Sequence, residues 1–176
     1  VLNPEPVKGI SFCISTNGAK PDKTLLEIES IKRTMSKVDI PFEIIVSGDV
    51  KNFSEDKELV LVNTPDDAHN GLLAKLRNNG GEKCSHDTIV FVDDDFVFDE
   101  NWSTRLLEFS LESGWEVLGN KILLPSGGRF WDRCTLNPHM LVDYDYPEDS
   151  KNLYQTGGFW IMRKHIYQSN RWNSDI

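Results

Sequence analysis

Asp87-Thr88-Ile89-Val90-Phe91-Val92-Asp93-Asp94-Asp95-Phe96-Val97-Phe98 carries an unbroken apolar run into three consecutive carboxylates. The apolar and β-branched residues Thr88 to Val92 suit a strand buried on both faces of a mainly parallel sheet better than a half-exposed one. In open α/β sheets ligands bind just outside the carboxyl ends of the strands, which is where Asp93, Asp94 and Asp95 fall. Along an extended backbone Asp93 and Asp95 share one side and Asp94 points to the other. Adjacent carboxylates repel and hold their protons more tightly unless a cation or a set of donors compensates. Oxygen ligands of this kind select Mg²⁺ or Mn²⁺, with phosphates and water completing the shell. The plain alternative for any Asp-x-Asp in so acidic a chain is a solvated turn. Asp143-Tyr144-Asp145, which runs into Pro147, Glu148 and Asp149, reads as such a loop.

Upstream, Ile10 to Ser15 reads as a first strand that breaks at Thr16-Asn17-Gly18, where small and polar residues could admit a ligand. Thr24-x-x-Glu27 has the form of a capping box, and Leu25, Ile28, Ile31, Met35 and Val38 follow at helical spacing, predicting a helix over about 24–37. Phe42 to Val46 is a second buried strand breaking at Ser47-Gly48-Asp49, and Glu58 to Val62 a third, followed by a polar turn at Thr64 to Asp67. Asn70 can cap a helix whose Leu72, Leu73 and Leu76 face the core, with Gly80-Gly81 as its stop. On spacing alone Lys75 and Arg77 are solvated helix surface. Downstream of the carboxylates, Asp99, Asn101 or Ser103 can cap a helix carrying Leu106, Leu107 and Leu111, and Glu116 to Gly119 returns as a strand. The order β-α-β-β-α-β-α-β predicts an α/β fold with a mainly parallel central sheet flanked by helices. Residues 121–149 are rich in Gly, Pro, Asp and aromatic residues without helical period, as loops that carry specificity often are. Paired Gly157 and Gly158, leading into Phe159 and Trp160, allow a ligand close to the backbone.

A length of 176 residues suits one domain. Nineteen basic against 28 acidic residues, a net charge of −9, argue against a nucleic acid or an anionic membrane surface as partner. No apolar run approaches the length of an integral membrane segment. Three spaced cysteines without a CxxC, Cys13, Cys84 and Cys134, suit a reducing, cytoplasmic setting.

Taken together, Ile10 to Asn17, Glu43 to Gly48, the helix with Lys75-Leu76-Arg77-Asn78, Thr88 to Asp95 and Thr156-Gly157-Gly158-Phe159 resemble, in order, the GT-A glycosyltransferases that use nucleotide sugars, of the inverting, family-two-like kind. The resemblance covers nearly the whole chain. It implies a Rossmann-like nucleotide-binding half over about 1–98 and a loop-rich acceptor half over about 99–176, incomplete at its C-terminal end. It further implies a nucleoside diphosphate sugar, with UDP as the nucleotide, as donor and a carbohydrate or other hydroxyl as acceptor. By the same resemblance Asp95, with Asp93, binds a divalent Mn²⁺ or Mg²⁺. Asp93 or Asp94 touches ribose or sugar, Thr16, Asn17, Ser47 and Gly48 hold the base, and Arg77 holds the donor side together. Gly157, Gly158, Phe159 and Trp160 would then lie on the acceptor side, Trp160 and Trp131 as stacking candidates. Two departures stand out. Relatives read the base with an acidic residue directly after the second strand, whereas here Ser47-Gly48 precede Asp49. Inverting relatives also carry a carboxylate base beyond the Gly-Gly segment, for which Asp175 is the stand-in and which is expected beyond Ile176 or absent. A nucleotidyl or phosphoryl transferase would also use carboxylates and metal, but no Gly-rich phosphate loop is present. A non-catalytic nucleotide-sugar or carbohydrate-binding module is the other class the missing base allows.

Overall fold

A computed structural model describes residues 2–135, 140–142, 153–155 and 157–175. The Asp143 to Asp149 loop, Thr156 and Ile176 lie outside them. The elements run β1 (Ile10–Thr16), α1 (Pro21–Met35), β2 (Phe42–Gly48), β3 (Leu59–Asn63), α2 (Pro65–His69), α3 (Leu73–Gly81), β4 (Thr88–Asp93), α4 (Trp102–Glu112), β5 (Val117–Leu118), β6 (Arg133–Thr135), β7 (Leu153–Gln155), β8 (Phe159–Arg163) and α5 (Lys164–Ser169). Six strands form one sheet in the order β3-β2-β1-β4-β8-β5. The first four are parallel, whereas β8 runs antiparallel to β4 and to β5. The chain is therefore an α/β layer structure with a mostly parallel central sheet.

Strand alternation divides the core between the two faces of the sheet. Phe12, Ile14, Val90 and Val92 pack on one face with Ile28, Ile31 and Met35 of α1 and Leu106 of α4. Cys13, Ile45, Ile89 and Phe91 pack on the other with Met162 and with Tyr167 of α5. All three cysteines are buried and free, packing as small apolar residues.

The sheet order creates the crevice. From β1 the chain winds outward through β2 to β3, then crosses back to place β4 on the other side of β1. Such a reversal leaves an opening at the carboxyl ends of the two central strands. The register sets Ser15 beside Asp93 and Thr16 beside Gly48, which lines up the ends of β1, β2 and β4.

Several boundaries differ from those expected. Helix α1 begins at Pro21, whose fixed φ suits a first helical position, and no side chain caps it. Thr24 and Glu27 are thus interior residues, both fully buried, and form no capping box. Thr64 to Asp67 opens the short helix α2, again started by a proline. Asn70 ends α2 instead of capping α3, and Leu73 is 39% exposed while Leu76 is buried. Gly80 and Gly81 do not stop α3 but form its last turn. A Cβ on Gly80 would stand 2.5 Å from Cys13 Sγ, and one on Gly81 would stand 2.5 Å from the Tyr167 ring, so both glycines admit close packing. In α4, Leu106 is buried but Leu111 is 63% exposed.

Candidate nucleotide-sugar site

Strand β4 ends at Asp93, and Asp94 and Asp95 already belong to a turn. Strand alternation therefore does not govern the three carboxylates, and each meets a different element. Asp93 Oδ1 accepts from Arg77 Nη2 of α3 at 3.1 Å. Asp94 Oδ2 accepts from the Thr16 hydroxyl at the end of β1. Asp95 forms a 3.6 Å ion pair with Lys23 of α1, both side chains about half exposed. Burial outweighs the pull of Arg77 and, together with the charges of Asp94 and Asp95, pushes the Asp93 carboxyl above the usual carboxylate range.

Arg77 is 6% exposed, not a solvated surface residue. Its Nη2 donates to the Gly157 carbonyl as well as to Asp93, and its guanidinium lies over the Trp172 ring, 4.8 Å from the centroid. Asn78, one residue on, donates to the Trp172 carbonyl and accepts from the Trp172 N–H. The Gly-Gly turn packs on the same place: Asp93 N–H donates to Gly158 O at 3.1 Å. A Cβ on Gly158 would come within 3.3 Å of Asp93 Oδ2. The close approach that Gly158 permits is thus to Asp93 itself, whereas a Cβ on Gly157 would meet nothing within 4 Å. Helical spacing could not reveal this, because the partners of Arg77 are 16, 80 and 95 positions away.

Three cavities open along the carboxyl edge. The first, about 390 Å³, is lined by Asn17, Gly18, Asp49, Lys51 and His69. The second, about 330 Å³, is lined by Ser15, Thr16, Asn17, Asp93, Asp94 and Asp95. The third, about 710 Å³, has Lys23, Asp95 and Phe159 in its wall. Asn17 and Ala68 belong to both the first and the second, and Asp95 to both the second and the third, so the three are contiguous.

The sequence-predicted residues sort unevenly among them. Thr16, Asn17, Asp93, Asp94 and Asp95 line the middle cavity. Ser47 and Gly48 line none of the three. Ser47 is fully buried against α3, and Gly48 (φ +138°) is required because a Cβ there would stand 1.8 Å from Thr16 O. Asp49 takes their place. Strand β2 runs two residues beyond Val46, so an acidic residue does directly follow it, and the departure noted for Asp49 disappears. Hydrogen bonding from Lys51, opposed by burial and aided by His69, holds the Asp49 carboxyl below its ordinary range. His69 carried no local signal, because only the packing of α2 against the sheet brings it 2.9 Å from Asp49. Phe159 and Trp160 point to opposite faces of the sheet. Phe159 lines the third cavity, whereas Trp160 packs against Trp172 at 5.7 Å in the other core. Gly157 is exposed beside the carboxylates, and exposed Asp175 lines none of the three cavities.

The donors present suit a hard cation held mainly by Asp95. Its ion pair with Lys23 is long and exposed, hence weak, and its carboxylate opens into two cavities. Asp93 is already committed to Arg77, and no group of three or more His, Cys, Asp or Glu side chains among the described residues could hold a metal ion. Magnesium-like ions are commonly held by one or two carboxylates, with substrate phosphates and water completing the octahedron. Ser15 also borders the middle cavity, but its hydroxyl is buried and has no partner among the described residues.

Glu27 lies under the carboxylate turn, fully buried, with no well-formed hydrogen bond to either oxygen. Burial first, then the Asp94 charge, pushes its carboxyl well above the ordinary range, against the opposing Phe96 backbone N–H. The folded chain therefore holds this proton more tightly than the unfolded one, so ionising Glu27 costs stability as pH rises above the ordinary glutamate range. Glu27→Met is expected to stabilise the protein at neutral pH by about 1–2 kcal/mol. Thermal unfolding followed from pH 4 to 8 checks this: the variant should lose less stability than the wild type as pH rises. A parallel loss in both would show that Glu27 does not contribute.

Among the described residues no helix is long and apolar enough to cross a membrane. The family model for glycosyl transferase family 2 matches residues 66–170, more than half of the chain and including α3, β4 and β8. No curated protein sequence matches it. The fold is similar to that of S. aureus TarS residues 1–349, with a TM-score of 0.64 and 16% identity over 96% of this chain and 51% of that one. The same TarS region in complex with UDP aligns with a TM-score of 0.61 and 16% identity, over 92% of this chain and 48% of that one. The chain thus spans about half the length of these solved structures. With the fold, the aspartates at the end of β4 and the family match in agreement, the chain belongs to glycosyl transferase family 2.

Proposed function

We propose that the chain binds a nucleoside diphosphate sugar, with UDP as the nucleotide, and takes part in transferring the sugar to a hydroxyl acceptor with inversion. The contiguity of the three cavities through Asn17 and Asp95 carries this reading. The base enters the cavity of Asp49 and His69, ribose and diphosphate follow past Thr16, Asn17 and Asp94, and the sugar stands near Asp95. A divalent Mn²⁺ or Mg²⁺ on Asp95 would supply Lewis-acid stabilisation to the departing diphosphate. Arg77 holds Asp93 and the Gly157 carbonyl in place. As the bond between the anomeric carbon and the diphosphate oxygen breaks, the acceptor oxygen forms the new bond from the opposite face. Its proton passes to a general base. The UDP bound to TarS is consistent with this choice of nucleotide.

Calorimetric titration of UDP with and without MnCl₂ tests the donor site. Binding strengthened by Mn²⁺, and weakened about tenfold or more in Asp49→Asn, is the expected result. Failure of UDP to bind in either condition would remove the donor reading.

A further inference from the structure

The third cavity extends from Asp95 away from the base-binding end. Its floor is a packed aromatic group, with ring centroids 5.0 Å apart for Phe98 and Trp102 and 5.6 Å apart for Phe96 and Phe159. The opposite wall is the loop from Ile122 to Phe130, which has its own framework. Asp132, 2% exposed, accepts from Ile122 N–H at 2.6 Å and from Arg129 Nε at 2.8 Å. Leu124 N–H donates to Gly128 O at 2.7 Å, and Phe130 N–H to Ile122 O at 2.9 Å. The space is therefore held open between two ordered walls.

Its chemistry is lopsided. Val97, Leu123, Leu124 and Phe130 line it while remaining 57%, 58%, 44% and 41% exposed, a concentration of large apolar side chains left in water around one opening. The Lys23–Asp95 pair marks the end that joins the middle cavity. Asp99, Asn120 and Lys121 also line the cavity, but aromatic and aliphatic side chains form most of its wall, so it suits a ligand with an apolar body and a polar head.

We propose that this cavity binds the apolar aglycone of an amphiphilic acceptor, an alkyl- or aryl-linked sugar or alcohol whose hydroxyl is presented at the Asp95 end. The assignment rests on the donor reading, because Asp95 gives the cavity its orientation. Two exposed lining residues, Leu123 and Leu124, can be changed without disturbing the core, and neither belongs to the donor cavities.

The test is calorimetric titration of the full chain with octyl β-D-glucoside below its micellar concentration, with methyl β-D-glucoside and, separately, with UDP plus Mn²⁺. The octyl glycoside should bind at least roughly a hundredfold more tightly than the methyl glycoside, given the apolar area its chain buries. Leu123→Asp and Leu124→Asp should each lower that affinity at least about tenfold and leave UDP binding unchanged. UDP binding accompanied by equal affinity for the two glycosides, or by octyl binding unaltered in both variants, overturns the aglycone assignment alone. If UDP does not bind the wild type the donor reading falls, while the glycoside comparison still decides whether the cavity takes an apolar group.

Discussion

Asp95→Ala is expected to lower metal-dependent sugar transfer, or donor hydrolysis where no acceptor is supplied, by about 10²–10³-fold in kcat while leaving the fold intact. Asp95 lines both the second and the third cavities, and its one described ion pair, with Lys23, is half exposed and 3.6 Å long. Such pairs contribute little to stability, so the unfolding free energy should change by less than about 0.5 kcal/mol. The loss should fall on kcat more than on KM, because charge on the leaving diphosphate builds up in the transition state. Mn²⁺ titration separates the roles further: the variant should lose the enhancement of UDP binding by metal and keep its metal-independent part. Wild-type turnover in a well-folded Asp95→Ala protein would show that this carboxylate holds no cation in the reaction.

Arg77→Ala should instead be the most destabilising single change at the site, by about 3 kcal/mol. One guanidinium group joins α3, the end of β4, the Gly157 carbonyl and the Trp172 ring. Its removal leaves the partly buried Asp93 facing Asp94 and Asp95 without its counter-charge. The figure lies at the low end for breaking a buried pair because the Asp93 side chain is 40% exposed and water screens part of the loss. Urea unfolding measures the stability change, and UDP titration should show weakened binding, since the carboxylate turn loses its anchor. Arg77→Lys should recover little of either, because an ammonium cannot stack a planar face on Trp172 while bonding Asp93 and Gly157 O. A lysine variant equal to wild type in both measurements would reduce Arg77 to a simple charge partner.

Much of the layer structure is legible in residue order. The runs at Ile10, Phe42, Leu59 and Thr88 are strands because apolar and β-branched residues dominate them, even with Ser11 and Glu43 inside, and the breaks after them fall at the carboxyl edge where Thr16, Asp49 and Asp93 stand. Capping signals were less dependable. Thr24 and Glu27 have the spacing of a capping box, but Pro21 starts α1 one turn earlier and turns Glu27 inward, where it is buried without a well-formed hydrogen bond. Asn70 instead closes α2, and α3 starts at Leu73 with no side-chain cap. Local patterns compete, and the proline prevailed because it fixes φ before any side chain can bond.

The α/β layering, the position of the aspartates at the end of a buried strand and the net acidic charge can all be read from the sequence alone. These follow from periodicity and charge, which are local properties of the chain. Tertiary structure alone decided that Arg77 is buried, that Asp49 and His69 face one cavity while Ser47 faces the core, and that Phe159 and Trp160 separate to opposite sides of the sheet. It also decided how the three carboxylates at 93–95 divide their partners. Each of these depends on contacts between residues distant in sequence, and the identities of neighbouring residues place no constraint on such contacts until the sheet order has been set.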